Sequence, residues 1–304
     1  MKVMVIGGTG HVGTFMIPQL IEAGMDVVVV GSGKTPLPKD KVWQKVKYLV
    51  CDVSSHCELD KLADESPDVV VDMTGEVWNI YQKLKSVSKH VIACGSVWMF
   101  GEAKVVPMPE ETQNPCPFED YQKRYSEILN LVKLSRKDGV AFTAIMPPNI
   151  CGPGKIPIDC LGGRSLDLHR DHARGKEVIL PDGPDALIGP CDAQDIADCF
   201  VKAVLNRDKS AHQIFNVGSA YALTAAELVG AYSEIYNVKI PIKRIGWNEY
   251  VANVSPDIGY WWHFKAHMCP DISKAKKLLG YQPQFTPEQT IRRAVEWMKI
   301  NKML

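Results

Sequence analysis

Lys2-Val3-Met4-Val5-Ile6-Gly7-Gly8-Thr9-Gly10-His11-Val12-Gly13 is the stretch whose reading decides the fold. Val3 to Ile6 form an apolar run of the kind that makes a buried strand, and a glycine turn follows at once. Residues 14–23 then read as a helix ended by Gly24, and Val27 to Val30 as a second strand. Strand, glycine turn, helix and strand within about thirty residues is the size of one βαβ unit. The glycines act differently. Gly7 allows the tight turn, Gly10 lets the backbone approach a pyrophosphate, and Gly13 lets the helix pack close to the strand. The free N–H groups and positive end of the helix then face the phosphates. Gly7, Thr9, Gly10, His11, Val12 and Gly13 are therefore expected to seat a dinucleotide.

Composition narrows the alternatives. A chain of 304 residues, 46% of them hydrophobic, is one large domain or two closely joined ones. Acidic and basic residues balance at 35 each, so no general field draws nucleic acid or an anionic membrane. No apolar run approaches the ~20 residues that span a bilayer. The first strand opens at Lys2, which leaves no room for a signal peptide, and nine scattered cysteines fit reduced thiols. The expected location is the cytoplasm, with a soluble small-molecule partner, no membrane, and nucleic acid disfavoured.

The end of the second strand normally distinguishes the two dinucleotides. An acid there binds the NAD ribose, whereas a cation accommodates the NADP phosphate. Here Gly31-Ser32-Gly33-Lys34-Thr35 holds no acid, and Ser32 and Lys34 are suited to a phosphate, which favours NADP over NAD. Gly33-Lys34-Thr35 also looks like the tail of a P-loop, but Val28 stands where that motif needs its first glycine. Residues 46–50 read as a third strand leading to Asp52 and Val53. Asp52 is placed to accept from an adenine amino group or to cap the next helix, over residues 58–65. Residues 68–72 form a fourth strand followed by Met73-Thr74-Gly75, at the strand end where ligands bind in such sheets. Residues 91–94 form a fifth.

The fifth strand runs into Gly95-Ser96-Val97-Trp98-Met99-Phe100-Gly101, and from there a resemblance is specific. The chain resembles an extended short-chain dehydrogenase/reductase, the family of NAD-dependent sugar epimerases and dehydratases. Gly7, Gly10 and Gly13 match its nucleotide turn, and Ser96 to Gly101 its serine segment. Met146-Pro147-Pro148-Asn149-Ile150-Cys151-Gly152-Pro153-Gly154 resembles its Arg-Pro-x-Asn-x-Tyr-Gly-Pro-Gly turn, with Met146 and Cys151 as departures. Asp192, Asp195-Ile196-Ala197, Phe215-Asn216-Val217-Gly218 and Asp271-Ile272-Ser273 fit further along. The resemblance implies a doubly wound α/β Rossmann-type parallel sheet with a smaller substrate lobe. It further implies Pro147 and Asn149 as cofactor contacts and a homodimer built on two neighbouring helices.

In that family a Ser or Thr orients the substrate oxygen, and a Tyr passes the proton while nicotinamide exchanges hydride. A Lys four residues after the Tyr lowers the tyrosine pKa and holds the ribose. The resemblance places Ser96 and Tyr121 in the first two roles. Four residues past Tyr121 stands Tyr125, not lysine. Lys123 lies roughly 200° round the helix from Tyr121 and cannot replace it. An alternative register pairs Lys123 with Glu127 and puts Glu119 in the tyrosine's place. Either way the set is incomplete, and proton transfer by Tyr125 or Glu119 stays open.

Residues 126–137 complete that helix and residues 141–146 form a sixth strand. From Lys155 to Gly189 the alternation of strand and helix is expected to stop, as in a substrate lobe. Arg164, His169, Arg170, His172, Arg174 and Lys176 make this part locally basic, suited to an anionic substrate or to solvent. Residues 195–205 read as a helix and 213–217 as a strand, and capping boxes start helices at Thr224 and Thr286. Tyr260-Trp261-Trp262-His263-Phe264 is dense in aromatics, fit to stack on a sugar or to pack the lobe. No metal site is expected. The expected division is a dinucleotide-binding domain over residues 1–151, rejoined by 190–219, and a substrate lobe over 152–189 and 220–304. The expected activity is that of an NAD(P)-dependent epimerase, dehydratase or reductase. The alternative is a non-catalytic nucleotide binder that recognises RNA or protein.

Overall fold

The structure, a computed structural model, describes residues 1–111, 114–183 and 185–304, apart from the side chains of residues 56 and 57. Its first half alternates strand and helix except between β2 and β3, which only a short 3₁₀ turn joins: β1 (Lys2–Ile6), α1 (Gly13–Glu22), β2 (Asp26–Gly31), β3 (Lys47–Val50), α2 (His56–Ala63), β4 (Val69–Asp72), α3 (Val77–Leu84), β5 (His90–Cys94), α4 (Glu119–Asp138) and β6 (Ala141–Met146). Then come β7 (Asn149–Cys151), α5 (Leu166–Ala173), β8 (Val178–Pro181), β9 (Pro190–Asp192), α6 (Ala193–Leu205), α7 (Arg207–Ser210) and β10 (Gln213–Asn216). The chain ends with α8 (Ala225–Tyr236), β11 (Ile242–Ile245), α9 (Trp247–Asn253), α10 (Ile258–Trp261), α11 (Ser273–Leu279) and α12 (Pro287–Ile300). Expected and observed boundaries differ by a residue or two at most ends, which is the ordinary fraying of element termini.

Seven strands form one parallel sheet in the order β10-β6-β5-β4-β1-β2-β3. Met4 pairs with Val28 on one side and Val70 on the other. The chain winds outward from β1 to β3, returns to place β4 beside β1, and winds out the other way. The carboxyl ends of β1 and β4 therefore diverge into opposite helical layers, leaving a crevice at the switch point. The Val-rich runs of β1, β2 and β4 are buried because both faces are covered. One layer packs Leu62, Ile80, Leu84, Ile128 and Leu131 from α2, α3 and α4. The other packs Met16, Leu20, Ile196, Phe200 and Leu279 from α1, α6 and α11.

A further apolar cluster holds the smaller lobe together, with Leu180, Leu228, Tyr232, Tyr250, Phe264, Ile291 and Val295 at its centre. Its strands form two parallel pairs, β7 with β9 and β8 with β11. Residues 272–281, within the stretch expected to belong to the lobe, pack instead against the sheet through Ile272, Ala275, Leu279 and Tyr281. Between Lys155 and Gly189, where the alternation of the sheet domain is expected to stop, the chain holds one helix, α5, and one strand, β8. The inward residues of α5 are His169 and His172, both buried, so the helix has no aliphatic stripe for periodicity to find.

Candidate functional site

The glycine turn is built around missing side chains. Gly7 takes φ +78°, and a Cβ on Gly13 would lie 2.2 Å from the Gly8 carbonyl oxygen, so α1 starts directly on the backbone it follows. No side chain caps α1, and its first turn holds no acid. Its leading N–H groups are left without helical partners and suit an anion. A dinucleotide pyrophosphate fits this seat. His11 ties the turn to the far lobe. Its Nε2 lies 2.8 Å from the Pro153 carbonyl, which only accepts, so Nε2 carries the proton. Burial pushes its pKa down to about 4 and keeps the ring neutral.

Ser32 and Lys34 follow β2, both exposed, and Asp52 follows β3 beside them. The Asp52 carboxylate accepts from the Ser54 N–H and hydroxyl, two residues on, which holds its pKa below the usual range. That local turn, and not capping of α2, is its structural bond. Among the described residues the buried Tyr48 hydroxyl has no partner, and it lies 2.9 Å from where a Cβ on Gly31 would stand.

The loop after β4 is set by Asp72. This fully buried carboxylate accepts from the Thr74 N–H at 2.8 Å, the Thr74 hydroxyl at 2.6 Å and the Gly75 N–H at 3.2 Å. Burial raises its pKa and those three donors oppose the rise. Met73, Thr74 and Gly75 thereby form one wall of a cleft of about 640 Å³. The same loop touches the glycine turn, since a Cβ on Gly7 would lie 3.2 Å from both Met73 and Thr74.

Ser96, Tyr121, Pro147 and Asn149 line this cleft together, and the Val97 N–H donates to the Pro147 carbonyl at 3.1 Å. Ser96 caps the short turn after β5 by accepting from the Trp98 N–H. Trp98 stacks on Phe118 at 5.2 Å between centroids and meets Tyr121 at 5.9 Å and His263 at 4.8 Å. Asn149 is pinned by His263 Nδ1 at 3.1 Å and by the Gly189 N–H at 3.2 Å. Burial pushes the His263 pKa down to about 3, so a neutral imidazole faces the cleft. Burial also raises the Tyr121 pKa, and the Arg124 charge pulls it back.

Three cations border the cleft, Arg124, Lys155 and Arg164, and no carboxylate does among the described residues. Arg164 spends its guanidinium on the carbonyls of Ile156 and Ile150. Lys155 is exposed at the cleft rim, and partial desolvation lowers its pKa. The rest of the basic segment behaves differently. Arg170, Arg174 and Lys176 pair with Asp167 and Asp171, while His169 and His172 are buried with lowered pKa values. Tyr125 and Glu119 do not line the cleft. Tyr125 is buried edge-on against Phe100, 5.4 Å between centroids, and Glu119 and Lys123 are exposed. Sequence reasoning missed Arg124, Trp98 and Lys155. Arg124 shares a helix face with Tyr121, but so does Tyr125, and the sequence does not choose between them.

The chain matches the profile of the NAD dependent epimerase/dehydratase family over residues 3–88 and 77–218. It belongs to that family. Among curated relatives it is 25% identical to the chloroplast stem-loop binding protein of 41 kDa b of Arabidopsis thaliana, covering 93% of this chain and 75% of that one. It is 23% identical to the UDP-glucose 4-epimerase of Lactobacillus helveticus, covering 98% of this chain and 97% of the other. The UDP-glucose-4-epimerase of Stenotrophomonas maltophila, solved with bound NAD and formylated UDP-arabinopyranose, shares the fold at a TM-score of 0.79. Identity there is 17%, with 99% of each chain covered. Like other members of the epimerase/dehydratase family, this chain carries a parallel sheet with a nucleotide turn at its switch point. Among its described residues no helix is long and apolar enough to cross a membrane.

Proposed function

We propose that this protein is an NAD(P)-dependent epimerase, dehydratase or reductase acting on an anionic, sugar-like or otherwise hydroxylated small molecule. What carries the reading is that Ser96 and Tyr121 line one cleft with the Thr74–Gly75 loop, beside the open start of α1. The bound nicotinamide supplies the hydride chemistry. The backbone of Gly7–Gly13 holds the pyrophosphate, Ser32 and Lys34 take the ribose end with a preference for NADP, and Asp52 and Val53 border the adenine. Tyr121 exchanges a proton with the substrate oxygen, and Ser96 orients that oxygen. The aromatic wall of Trp98, Tyr260 and His263 excludes water and packs on the sugar face. The charge of Lys155, unopposed by acid, favours a substrate phosphate or carboxylate. The test incubates purified protein with NAD(H) or NADP(H) and a panel of nucleotide sugars, following nicotinamide absorbance and product stereochemistry. Turnover of at least one supports the reading. Failure to bind either dinucleotide would overturn it.

A second reading is a nucleotide binder that recognises RNA, favoured by the likeness to a stem-loop binding protein. The balance of 35 acidic and 35 basic residues weighs against it. Titrating stem-loop RNA at physiological salt separates the two.

A further inference from the structure

We propose that Arg124, three residues after Tyr121, stands in for the family's absent lysine as the cation that positions Tyr121 and the cofactor ribose. This rests on the proposed function and deepens it. On a helix, residues 124 and 125 lie on either side of the direction in which residue 121 points, about 60° and 40° away. The packing of α4 chooses between them. Tyr125 is turned into the core against Phe100, so a lysine there would be buried beneath the sheet layer and not delivered to the cleft. Arg124 is turned to the cleft that Ser96 and Tyr121 line.

The guanidinium has a prepared place. It lies over the loop after β4, where a Cβ on Gly75 would come within 2.9 Å of its Cζ and Nη1. Gly75 adopts φ +87°, so the loop is shaped for a residue without a side chain, and Asp72 fixes that shape. Arg124 makes no ion pair among the described residues, which leaves its donors for a ligand. Its charge opposes the effect of burial on Tyr121, while Cys94 and Cys116 are the other ionisable groups acting on that hydroxyl, both in the raising direction. Unlike lysine, a guanidinium keeps its charge at any working pH and presents a planar fork to two oxygens. The exchange from i+4 lysine to i+3 arginine replaces a point charge with a permanently charged planar fork.

Two measurements on wild type, Arg124→Met and Arg124→Lys test this. The first is the pH titration of tyrosinate absorbance, read as the difference from Tyr121→Phe, which isolates Tyr121. The second is calorimetric binding of NAD and NADP, with thermal melts confirming that each variant is folded. Arg124→Met is expected to raise the Tyr121 midpoint by ~1 unit or more and to weaken dinucleotide binding by about tenfold. Arg124→Lys, which keeps the charge, is expected to recover most of the midpoint shift and part of the affinity. An unchanged Tyr121 midpoint in Arg124→Met overturns the assignment, as does unchanged dinucleotide affinity. If Arg124→Met does not fold, Arg124→Lys decides alone: affinity and Tyr121 midpoint both indifferent to the shorter, single-pronged cation overturn the assignment, and weaker binding upholds it. Wild type that binds neither dinucleotide defeats the functional reading instead, a result the variants do not mimic.

Discussion

Tyr121→Phe removes one oxygen and almost no volume from the wall formed with Trp98 and Phe118. Turnover is expected to fall by about 100-fold or more while dinucleotide affinity holds, as steady-state rates and calorimetry would check. Activity at wild-type level would move proton transfer elsewhere. Lys34 is exposed beyond β2, where the proposed function puts the ribose end of the cofactor. Lys34→Ala is expected to weaken NADPH binding and leave NADH binding unchanged, and equal loss of both would refute the NADP preference. The meeting of Tyr121 and Ser96 at one cleft was legible from the resemblance, although the lysine that completes the motif is missing. Arg124 was not, because nothing in its neighbours says whether the helix presents residue 124 or residue 125 to the cleft. His263 stands out in the sequence only for its aromatic neighbours, yet its role in holding Asn149 is a contact across more than a hundred residues.

Elements show the glycine turn to contain two different kinds of constraint. Gly10 is exposed, and a Cβ there would lie 3.1 Å from the Gly7 carbonyl, tight but open towards the ligand. Gly10→Ala is expected to leave the melting temperature nearly unchanged and to raise the dinucleotide Kd at least about tenfold, ~1.4 kcal/mol. Gly13→Ala would drive a methyl into the Gly8 carbonyl and is expected to destabilise the fold by ~1–3 kcal/mol or more. Melts and titrations on the pair check both halves of the contrast, and equal melting temperatures would show that α1 relaxes. The spacing of this turn was readable because its chemistry is local. Helix α5 was not, because two histidines supply its buried side, packed edge-on and tilted against Tyr232 and bonded to Pro157 and Cys160.

Over the whole molecule, pH acts through buried histidines. Burial lowers the pKa of His11 and His172 to about 4 and of His90 and His263 to about 3. Each folded value lies below the unfolded value near 6.5, so below that pH the unfolded chain binds more protons than the folded one. Their stability contribution is complete above about pH 6.5 and is lost as pH falls towards 4 and below. Asp195, raised by burial to about 6, works the other way, as do Asp72, Glu110 and Asp198, which burial also raises, but the histidines with lowered values outnumber them. The melting temperature is expected to be clearly lower at about pH 5 than at about pH 7, and a flat profile between them would show these rings to be solvated on folding. The sequence by itself determined the parallel sheet, the dinucleotide turn and the family, because buried Val-rich strands and glycine spacing act over short stretches of chain. The tertiary structure alone decided that Arg124 shares the cleft with Tyr121, that the basic segment is mostly neutralised by its own aspartates, and that His263 joins the cleft. Those depend on which faces of distant segments meet, and packing settles that only when the chain is closed.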